Sequence, residues 1–261
     1  MHPILFRIAG HAVEANGVLY FLAIIVAWAY SVRAAKRNGW NAEDVLPGLI
    51  LVILAAYVGA RLFGAASQEG RFPDNPLGAL LSPHGLSFFG GLLAGSLAVL
   101  GYLRWKRLPL GKVTDALAPI APVLYAMFRL GCLLNGDDYG RPTTLPWAMR
   151  FPEGSPPTTE RVHPTQVYEM LLMVPVFAWL WSRRETHLRP GALAFELSAL
   201  MGAERFVVEF WRLGHRVAGG LTLSQWLALL LIAIGLAGRY ALIRALPSDV
   251  AGPRGRSGRH P

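Results

Sequence analysis

The sequence predicts an all-α integral membrane protein with about seven transmembrane helices, its N-terminus outside and its C-terminus in the cytoplasm. Hydrophobic residues make up 53% of the 261 residues, charged residues make up 16%, and the mean hydropathy is +0.38. A soluble domain of this length is more polar. Uncharged runs along the chain and the uneven distribution of basic residues then give the number of helices and their orientation.

The transmembrane helices follow from apolar runs, because about 20 residues of helix cross the roughly 30 Å of hydrocarbon in a bilayer. Four uncharged runs qualify directly, and three shorter or charge-containing stretches bring the number to seven. The four runs are 15–32, 45–60, 75–103 and 217–238, and the three stretches are 116–128, 170–182 and 191–210. Arg33, Lys36 and Arg37 follow the first run instead of preceding it, so we expect no cleaved signal peptide.

The basic residues set the predicted orientation, since cytoplasmic loops carry an excess of Lys and Arg. With seven spans, 15 of the 25 Lys and Arg residues fall on one side, seven fall on the other and three lie within spans. The richer side, which includes the C-terminus, is therefore predicted to be cytoplasmic. The formal charge of +9 then reflects loops that contact anionic headgroups, and no nucleic-acid partner is predicted.

The predicted organisation is a single membrane domain of residues 1–246 with an outer loop at 135–165. The segment 247–261 is rich in Pro, Gly, Ser and Arg, and we expect a disordered cytoplasmic tail there. The single cysteine, Cys132, excludes an intramolecular disulfide and leaves any CxxC-type metal site short of ligands. No metal site is predicted.

Ionisable residues within spans are the candidates for function, because each is costly there unless it is paired or hydrated. The richest segment is 128–152, at the outer end of the fourth span. Arg129 has a planar guanidinium that matches phosphate oxygens, and neighbouring glycines allow close backbone approach. The segment indicates an anion site at the outer interface. The alternative is that Arg129 only pairs with Asp137 or Asp138 or extends to the interface.

Two more spans carry residues of interest. In the sixth span, Arg205, Glu209 and Arg212 share one helix face, either as guanidiniums oriented by a carboxylate or as a structural ion-pair stripe. In the third span, Gly90 and Gly91 indicate either tight helix packing or a helix break beside a polar cavity.

A further polar segment, 161–172, lies at the outer entrance of the fifth span. It contains His163, Gln166, Tyr168 and Glu169. Tyr168 also suits a simpler role as an aromatic anchor at the membrane interface.

Five ordered blocks of the sequence resemble the prolipoprotein diacylglyceryl transferase family. The blocks are GARLFG at 59–64, GLSFFGGLLAG at 85–95, FRLGCLLNGDDYGRP and PWAMRFP within 128–152, RVHPTQVYE at 161–169 and ERFVVEFWR at 204–212. The resemblance covers residues 16 to about 240. Its most specific part is the pattern of Arg, Gly, Asn and acidic residues from Arg129 to Gly140.

The resemblance implies an enzyme of the bacterial inner membrane. It would move the diacylglyceryl group of phosphatidylglycerol onto the lipobox cysteine thiol of a preprolipoprotein and release glycerol phosphate. It also implies that no metal or organic cofactor is used, and that chemistry takes place near the outer leaflet in a cavity open to membrane lipids. We expect a monomer.

The resemblance also implies roles for particular residues. Arg129 and Arg205 match the essential arginines of the family and would hold the phosphate and stabilise the departing group. Glu209 would orient Arg205, and Asn135 and Gly140 would shape the headgroup site. The remaining predicted site residues are Asp137, which occupies the position of a family glutamate, and Arg61, Gly90, Gly91, His163 and Tyr168.

The sequence departs from the family pattern at three positions. Phe89 stands where the family usually has a histidine, and phenylalanine cannot accept a proton. His84 is the nearest replacement, and Asp137 is a second candidate for the proton acceptor. Cys132 replaces an asparagine and Asn16 replaces a tyrosine; a buried cysteine in such a place is more often a small filler than a nucleophile.

Three hypotheses stay open from the sequence. The first is a working diacylglyceryl transferase. The second is a divergent paralogue that keeps the phospholipid site but acts on another acceptor or lipid headgroup. The third is a non-catalytic membrane protein that binds phospholipid or a lipoprotein, and the retained Arg129, Arg205 and Glu209 argue against it.

Overall fold

The computed structural model describes residues 4–8, 11–69, 87–186, 189–214 and 216–244. Two predictions fall outside these residues: the replacement base His84 and the cytoplasmic tail 247–261. The described part consists of long helices with two short antiparallel hairpins.

Eight helices lie in the described residues, and the longest fully described connection between them runs from α5 to α6. The helices are α1 (Ala15–Arg37), α2 (Val45–Glu69), α3 (Phe88–Trp105), α4 (Leu110–Leu117), α5 (Ala121–Asn135), α6 (Thr165–Arg183), α7 (Ala192–Val208) and α8 (Leu223–Arg244). The strands are β1 (Ile4–Ile8), β2 (His11–Glu14), β3 (Met149–Phe151) and β4 (Thr158–Val162), paired as β1–β2 and β3–β4. Short 3-10 turns lie at Ala42–Asp44, Ala118–Ile120 and Glu209–Trp211.

The membrane character predicted from composition is confirmed. Within the described ranges, four helical segments are long and apolar enough to cross a bilayer, namely Ala15–Arg37, Ala42–Ala65, Leu110–Asn135 and Leu223–Arg244. The third of these joins α4 and α5 through a 3-10 turn, where Pro119 and Pro122 interrupt regular hydrogen bonding. Helices α3, α6 and α7 lie where the other three spans were predicted. The protein is therefore an all-helical membrane protein.

Two helices begin later than the apolar runs predicted. Helix α3 begins at Phe88, since the Ser87 side chain accepts a hydrogen bond from Gly90 N at 3.4 Å and caps the helix. The last helix begins at Leu223 instead of residue 217. The turn before it contains Gly219 and Gly220 with φ of 61° and 74°, a conformation that ends regular helix.

Small residues set the closest helix packing. A Cβ at Gly90 would collide with the carbonyl oxygen of Gly59 on α2, and a Cβ at Gly91 would lie 3.2 Å from the carbonyl oxygen of Ala56. Of the two interpretations open for these glycines, tight helix packing is the one that the geometry fits. Large apolar side chains such as Leu93 point outward and are exposed, as expected where lipid is the solvent.

The core lies between α6 and α7. Met173, Val176 and Leu180 of α6 pack against Leu193 of α7 and Ala118 of the 3-10 turn before α5. This contact holds α5, α6 and α7 together. The C-terminal ends of α5 and α7 and the N-terminal end of α6 therefore meet at one end of the bundle.

Candidate active site

A buried carboxylate joins three arginines where α5, α6 and α7 meet. Glu169 of α6 is completely buried, and its oxygens lie 2.8 Å from Arg129 Nε, 3.2 Å from Arg205 Nη1 and 3.5 Å from Arg212 Nη1. Tyr125 also directs its hydroxyl at Glu169, at 3.4 Å. This group of three guanidiniums around one carboxylate is here named the outer cluster, after the side of the membrane that the basic residues predict for it.

Two more carboxylates complete the outer cluster. Asp138 bridges Arg129 at 2.7 Å and Arg212 at 2.8 Å, and Glu209 lies 2.8 Å from Arg205 and 3.8 Å from Arg212. Burial raises the pKa of Asp138, but the guanidiniums of Arg212 and Arg129 outweigh it and hold that pKa below its ordinary value. The carboxylates fix the planes of the guanidiniums, which prepares them for a planar anionic group.

The local sequence explains how Asp138 reaches Arg129. Helix α5 ends at Asn135, and Gly136 adopts a left-handed conformation with φ of 69°, which ends the helix and turns the chain back. Asp138 itself has φ of 62°, and its carbonyl accepts a hydrogen bond of 2.7 Å from Thr165 Oγ1. The turn after α5 is thereby tied to the start of α6.

Asp137 points elsewhere. Its carboxylate accepts a short hydrogen bond from Asn135 Nδ2, and its backbone carbonyl accepts one from Gln166 Nε2. Of the two partners considered for Arg129, the structure therefore selects Asp138. Cys132 is buried beside this turn, with its Sγ 3.9 Å from Arg129 Nη1.

The same turn contains the one group of His, Cys, Asp and Glu residues, within the described ranges, that is compact enough to share a metal ion. The group is Cys132, Asp137 and Asp138, whose ligand atoms lie within 4.8 Å of one another. Two guanidiniums already neutralise Asp138, and their charge opposes a cation. The donor set therefore fits a metal poorly.

Gly140 fixes the outer loop against the cluster. Its amide donates to His163 O at 2.8 Å, and it forms an antiparallel bridge with Arg212. A Cβ at this position would lie 2.9 Å from both His163 Cβ and Thr165 Cγ2 and would collide with the carbonyl of Trp211. Glycine is therefore required for the loop to hold Arg212 in place.

His163 and Tyr168 belong to an aromatic rim beside the outer cluster. Tyr168 Oη lies 3.1 Å from His163 Nδ1 and accepts a hydrogen bond of 2.8 Å from Trp147 Nε1, and its ring contacts Trp211 edge-on. Burial lowers the pKa of His163, so its imidazole is neutral at pH 7. With Leu145, Leu171, Leu172 and Val207, the rim lines a groove of about 370 Å³.

The remaining predicted site residues lie on other helices. Arg61 is on α2, where its Nε donates to Tyr57 Oη at 3.1 Å and its guanidinium lies over the Tyr57 ring. Gly90 and Gly91 lie in the α2–α3 contact. The prediction that Arg205, Glu209 and Arg212 share one face of a continuous helix was wrong. Helix α7 ends at Val208, and Arg212 follows a 3-10 turn and is extended.

The central residue of the cluster, Glu169, was not among the predicted site residues. Its sequence signal was an ionisable residue inside an apolar span, which by default indicates a functional site with a charged partner. Glu204, one residue before Arg205, was also missed. Its side chain is buried in α7, and adjacent helix residues do not face each other, so no partner could be inferred from spacing.

The fold and the outer cluster define a helical membrane protein with an arginine-rich site at one end of its bundle. A family model described as prolipoprotein diacylglyceryl transferase matches residues 3–241. The chain belongs to this family, as the sequence blocks predicted.

Relatives from several bacteria carry the name phosphatidylglycerol–prolipoprotein diacylglyceryl transferase. The chain is 34% identical to the protein of Idiomarina loihiensis over 90% of each chain. It is 32% identical to that of Bordetella bronchiseptica, over 94% of this chain and 97% of the relative. It is 35% identical to that of Nitratidesulfovibrio vulgaris, over 84% and 86%. The similarity therefore extends over nearly the whole length of the protein.

Proposed function

We propose that the protein transfers the diacylglyceryl group of phosphatidylglycerol to the lipobox cysteine thiol of a preprolipoprotein and releases glycerol phosphate. The observation that carries this proposal is the outer cluster, in which Arg129, Arg205 and Arg212 converge on Glu169. The names of the relatives match the same donor and acceptor.

The arginines suit the phosphate of the lipid donor. A guanidinium offers parallel N–H groups to two phosphate oxygens, and the departing glycerol phosphate gains negative charge as it leaves. Arg205 is the most open of the three, with 25% of its side chain exposed against 8% for Arg129 and 14% for Arg212. In this proposal Arg205 contacts the phosphate first, and Arg129 completes the clamp.

The carboxylates serve as positioning residues. Glu209 holds Arg205 Nη2 at 2.8 Å, and Glu169 keeps Arg129 and Arg205 at one point. Removal of either carboxylate frees the guanidiniums to rotate, which weakens a clamp that depends on preorganised geometry. Asn135 and Gly140 act through the loop that holds Asp137 and Arg212, and the rim of His163 and Tyr168 borders the headgroup.

The acceptor reacts as a thiolate, because the thiolate and not the thiol is the nucleophile. Its sulfur attacks the glycerol carbon that bears the phosphate, a C–S bond forms, and the C–O bond to the phosphate breaks. The phosphate takes the bonding electron pair and stays between the arginines until it is released.

In the membrane we propose seven spans, with α3, α6 and α7 crossing beside the four long apolar helices. The excess of basic residues on one side supports a cytoplasmic C-terminus in a bacterial inner membrane. The outer cluster then faces the outer leaflet, where a secreted acceptor and phosphatidylglycerol meet. Residues 1–246 act as one domain and as a monomer.

The test is transfer of labelled diacylglycerol from phosphatidylglycerol vesicles to a lipobox peptide by the purified protein. We expect a thioether-linked product and one glycerol phosphate released per transfer. A peptide with Ser in place of the lipobox Cys and vesicles of phosphatidylethanolamine are the acceptor and donor controls. Folded protein that produces no thioether from phosphatidylglycerol would contradict the proposal.

A divergent paralogue is the second candidate, favoured by Phe89, Cys132 and Asn16 at positions where the family differs. The same assay separates it from the first. Transfer to the lipobox peptide only from another headgroup, or from phosphatidylglycerol only to another thiol or to an amine, would indicate the paralogue. Phosphatidylglycerol binding without transfer to any acceptor would indicate a binding protein.

A further inference from the structure

Among the described residues, Glu204 differs from the other carboxylates near the outer cluster, because no hydrogen bond or ion pair engages its carboxyl group. Its side chain lies in the last turn of α7 and the residue is only 5% exposed. Neither carboxyl oxygen accepts a hydrogen bond from a residue in the part of the chain that the structure describes, and no ion pair reaches it there. Glu169 and Glu209 are equally buried but are held by arginines.

The surroundings of Glu204 are apolar on one side and charged on the other. It lines a groove of about 380 Å³ between α6 and α7, and it is the one ionisable residue among those that line the groove. The other lining residues are Leu172, Pro175, Val176, Trp179, Leu200, Ala203 and Val207. The groove adjoins the outer cluster, because Glu169 lies one turn before Leu172 and Arg205 directly follows Glu204.

Charged groups from each neighbouring helix act on the carboxyl of Glu204. Glu169 of α6, Arg205 of α7, Arg129 of α5 and Arg212 all lie within electrostatic range of it. Tyr125 of α5 is also within electrostatic range. Glu204 is thus close to the arginines, yet none of them forms an ion pair with it.

A buried carboxyl group without partners is unfavourable and calls for an explanation. A structural role would give Glu204 a hydrogen-bond donor, as Glu169 and Glu209 have. A proton acceptor needs the opposite, because an ion pair with a guanidinium lowers the affinity of a carboxylate for a proton. Buried ionisable groups with perturbed surroundings are typical of catalytic acids and bases.

We propose that Glu204 is the catalytic proton acceptor for the thiol of the incoming acceptor, an inference that rests on the proposed function. The Glu204 carboxylate takes the S–H proton as the sulfur forms a C–S bond with the glycerol carbon. The C–O bond to the phosphate breaks, and its electron pair passes to the phosphate between Arg129 and Arg205. Glu204 then gives the proton to the released glycerol phosphate and returns to its starting state.

The sequence alone does not identify the residue that accepts the proton. Phe89 occupies the position at which the family usually has a histidine, and it cannot take a proton. Asp137 is engaged by Asn135 in the turn after α5. Glu204 is therefore the buried, unpaired carboxyl group nearest in sequence to the arginines of the clamp.

The experiment compares wild type with Glu204→Gln on two lipobox peptides, one with cysteine and one with selenocysteine. The glutamine keeps the shape of the side chain but cannot accept the proton. A selenol is already ionised at neutral pH and needs no base. We expect Glu204→Gln to lower the rate with the cysteine peptide by about 10²-fold and to transfer to the selenocysteine peptide at a rate close to that of wild type.

The matched control is Glu160→Gln, at an exposed glutamate on β4, which should leave both rates unchanged. Phosphatidylglycerol binding and the thermal midpoint of Glu204→Gln verify that the variant is folded. Equal losses with both peptides would indicate a structural role and overturn the inference, as would an unchanged rate with cysteine. A folded wild type that is inactive with both peptides would instead overturn the proposed function, and this inference with it.

Discussion

Two clusters of arginine and glutamate lie at opposite ends of α6 and α7, and their carboxylates are paired with arginines in different ways. At the end predicted to be cytoplasmic, Glu196 accepts hydrogen bonds from Arg183, Arg239 and Trp179, so both of its oxygens are satisfied. In the outer cluster, three arginines share the fully buried Glu169. The first cluster is closed, with its donors directed at one acceptor, whereas the second is a network in which Glu169, Asp138 and Glu209 share three arginines.

The difference indicates which ion pairs hold the helices together and which are built to receive a ligand. A satisfied carboxylate with partly exposed arginines is an ordinary structural contact. Three guanidiniums that converge on one point, with their planes fixed by carboxylates, offer the N–H donors that a phosphate group accepts. Variants that affect one cluster but not the other therefore test this distinction.

Among the variants that compare the two clusters, the largest effect is expected at Arg205. Arg205→Lys keeps the charge but removes the planar fork, and we expect kcat/KM for phosphatidylglycerol to fall by about 10²–10³-fold, as when one transition-state donor is lost. Arg183→Lys is the matched change in the Glu196 cluster and should alter transfer by about threefold or less. Similar losses in both variants would show that the two clusters do not differ in function.

Glu169→Gln and Glu196→Gln compare how much the central carboxylate of each cluster contributes to the free energy of unfolding. Loss of the Glu169 charge removes the fully buried carboxylate that contacts all three arginines, at an expected cost of about 3–5 kcal/mol in the free energy of unfolding. Loss of the Glu196 charge should cost about 1 kcal/mol, because its arginines reach solvent. Denaturation midpoints in detergent micelles measure both. A smaller loss for Glu169→Gln than for Glu196→Gln would contradict the comparison.

The contribution of Asp138 to the stability of the protein is expected to depend on pH. Its pKa is lowered in the folded protein by Arg212 and Arg129 against the opposing effect of burial. Its contribution to stability is therefore fully present above the ordinary aspartate pKa of about 3.9 and is lost as the pH falls through the folded-state pKa. Wild type should exceed Asp138→Asn in stability by a constant margin from about pH 5 to 8, and the margin should shrink below that range. A stability difference between wild type and Asp138→Asn that grows as the pH falls would contradict the ion pairs of Asp138 with Arg129 and Arg212.

The smallest effect is expected at Phe89. If Glu204 accepts the proton, restoration of a histidine by Phe89→His adds a base that the reaction does not need, and transfer should change by about twofold or less. Measurement of the rate between pH 6 and 8 provides the test. A rise of about tenfold or more would contradict Glu204 as the proton acceptor and indicate that a base at position 89 is limiting.

The prediction of the membrane fold from the sequence depended on average properties. Long uncharged runs located the helices, because a helix that crosses the bilayer needs about 20 mostly apolar residues and a run of that length is visible in the sequence. The starts of α3 and α8 were misplaced because Ser87 and the Gly219–Gly220 turn act over two or three residues inside an apolar run. Local turn chemistry does not alter the hydropathy of a long window.

The site was predictable where a residue carried its own signal. Arg129, Arg205 and Glu209 are ionisable groups in or next to spans, so their importance and the pairing of Arg205 with Glu209 followed from position. The choice of Asp138 over Asp137 depended on the left-handed turn at Gly136. Glu169 became central because three separate segments meet there, and spacing along one helix cannot show this.

The experiment we would perform first measures transfer of labelled diacylglycerol from phosphatidylglycerol to a lipobox peptide by wild type and by Arg129→Ala. Both proteins are first checked for correct membrane insertion. Because Arg129 links Glu169 and Asp138 in the outer cluster, we expect efficient transfer by wild type and none by the variant. Equal transfer by the inserted Arg129→Ala protein would contradict the phosphate clamp and the function built on it.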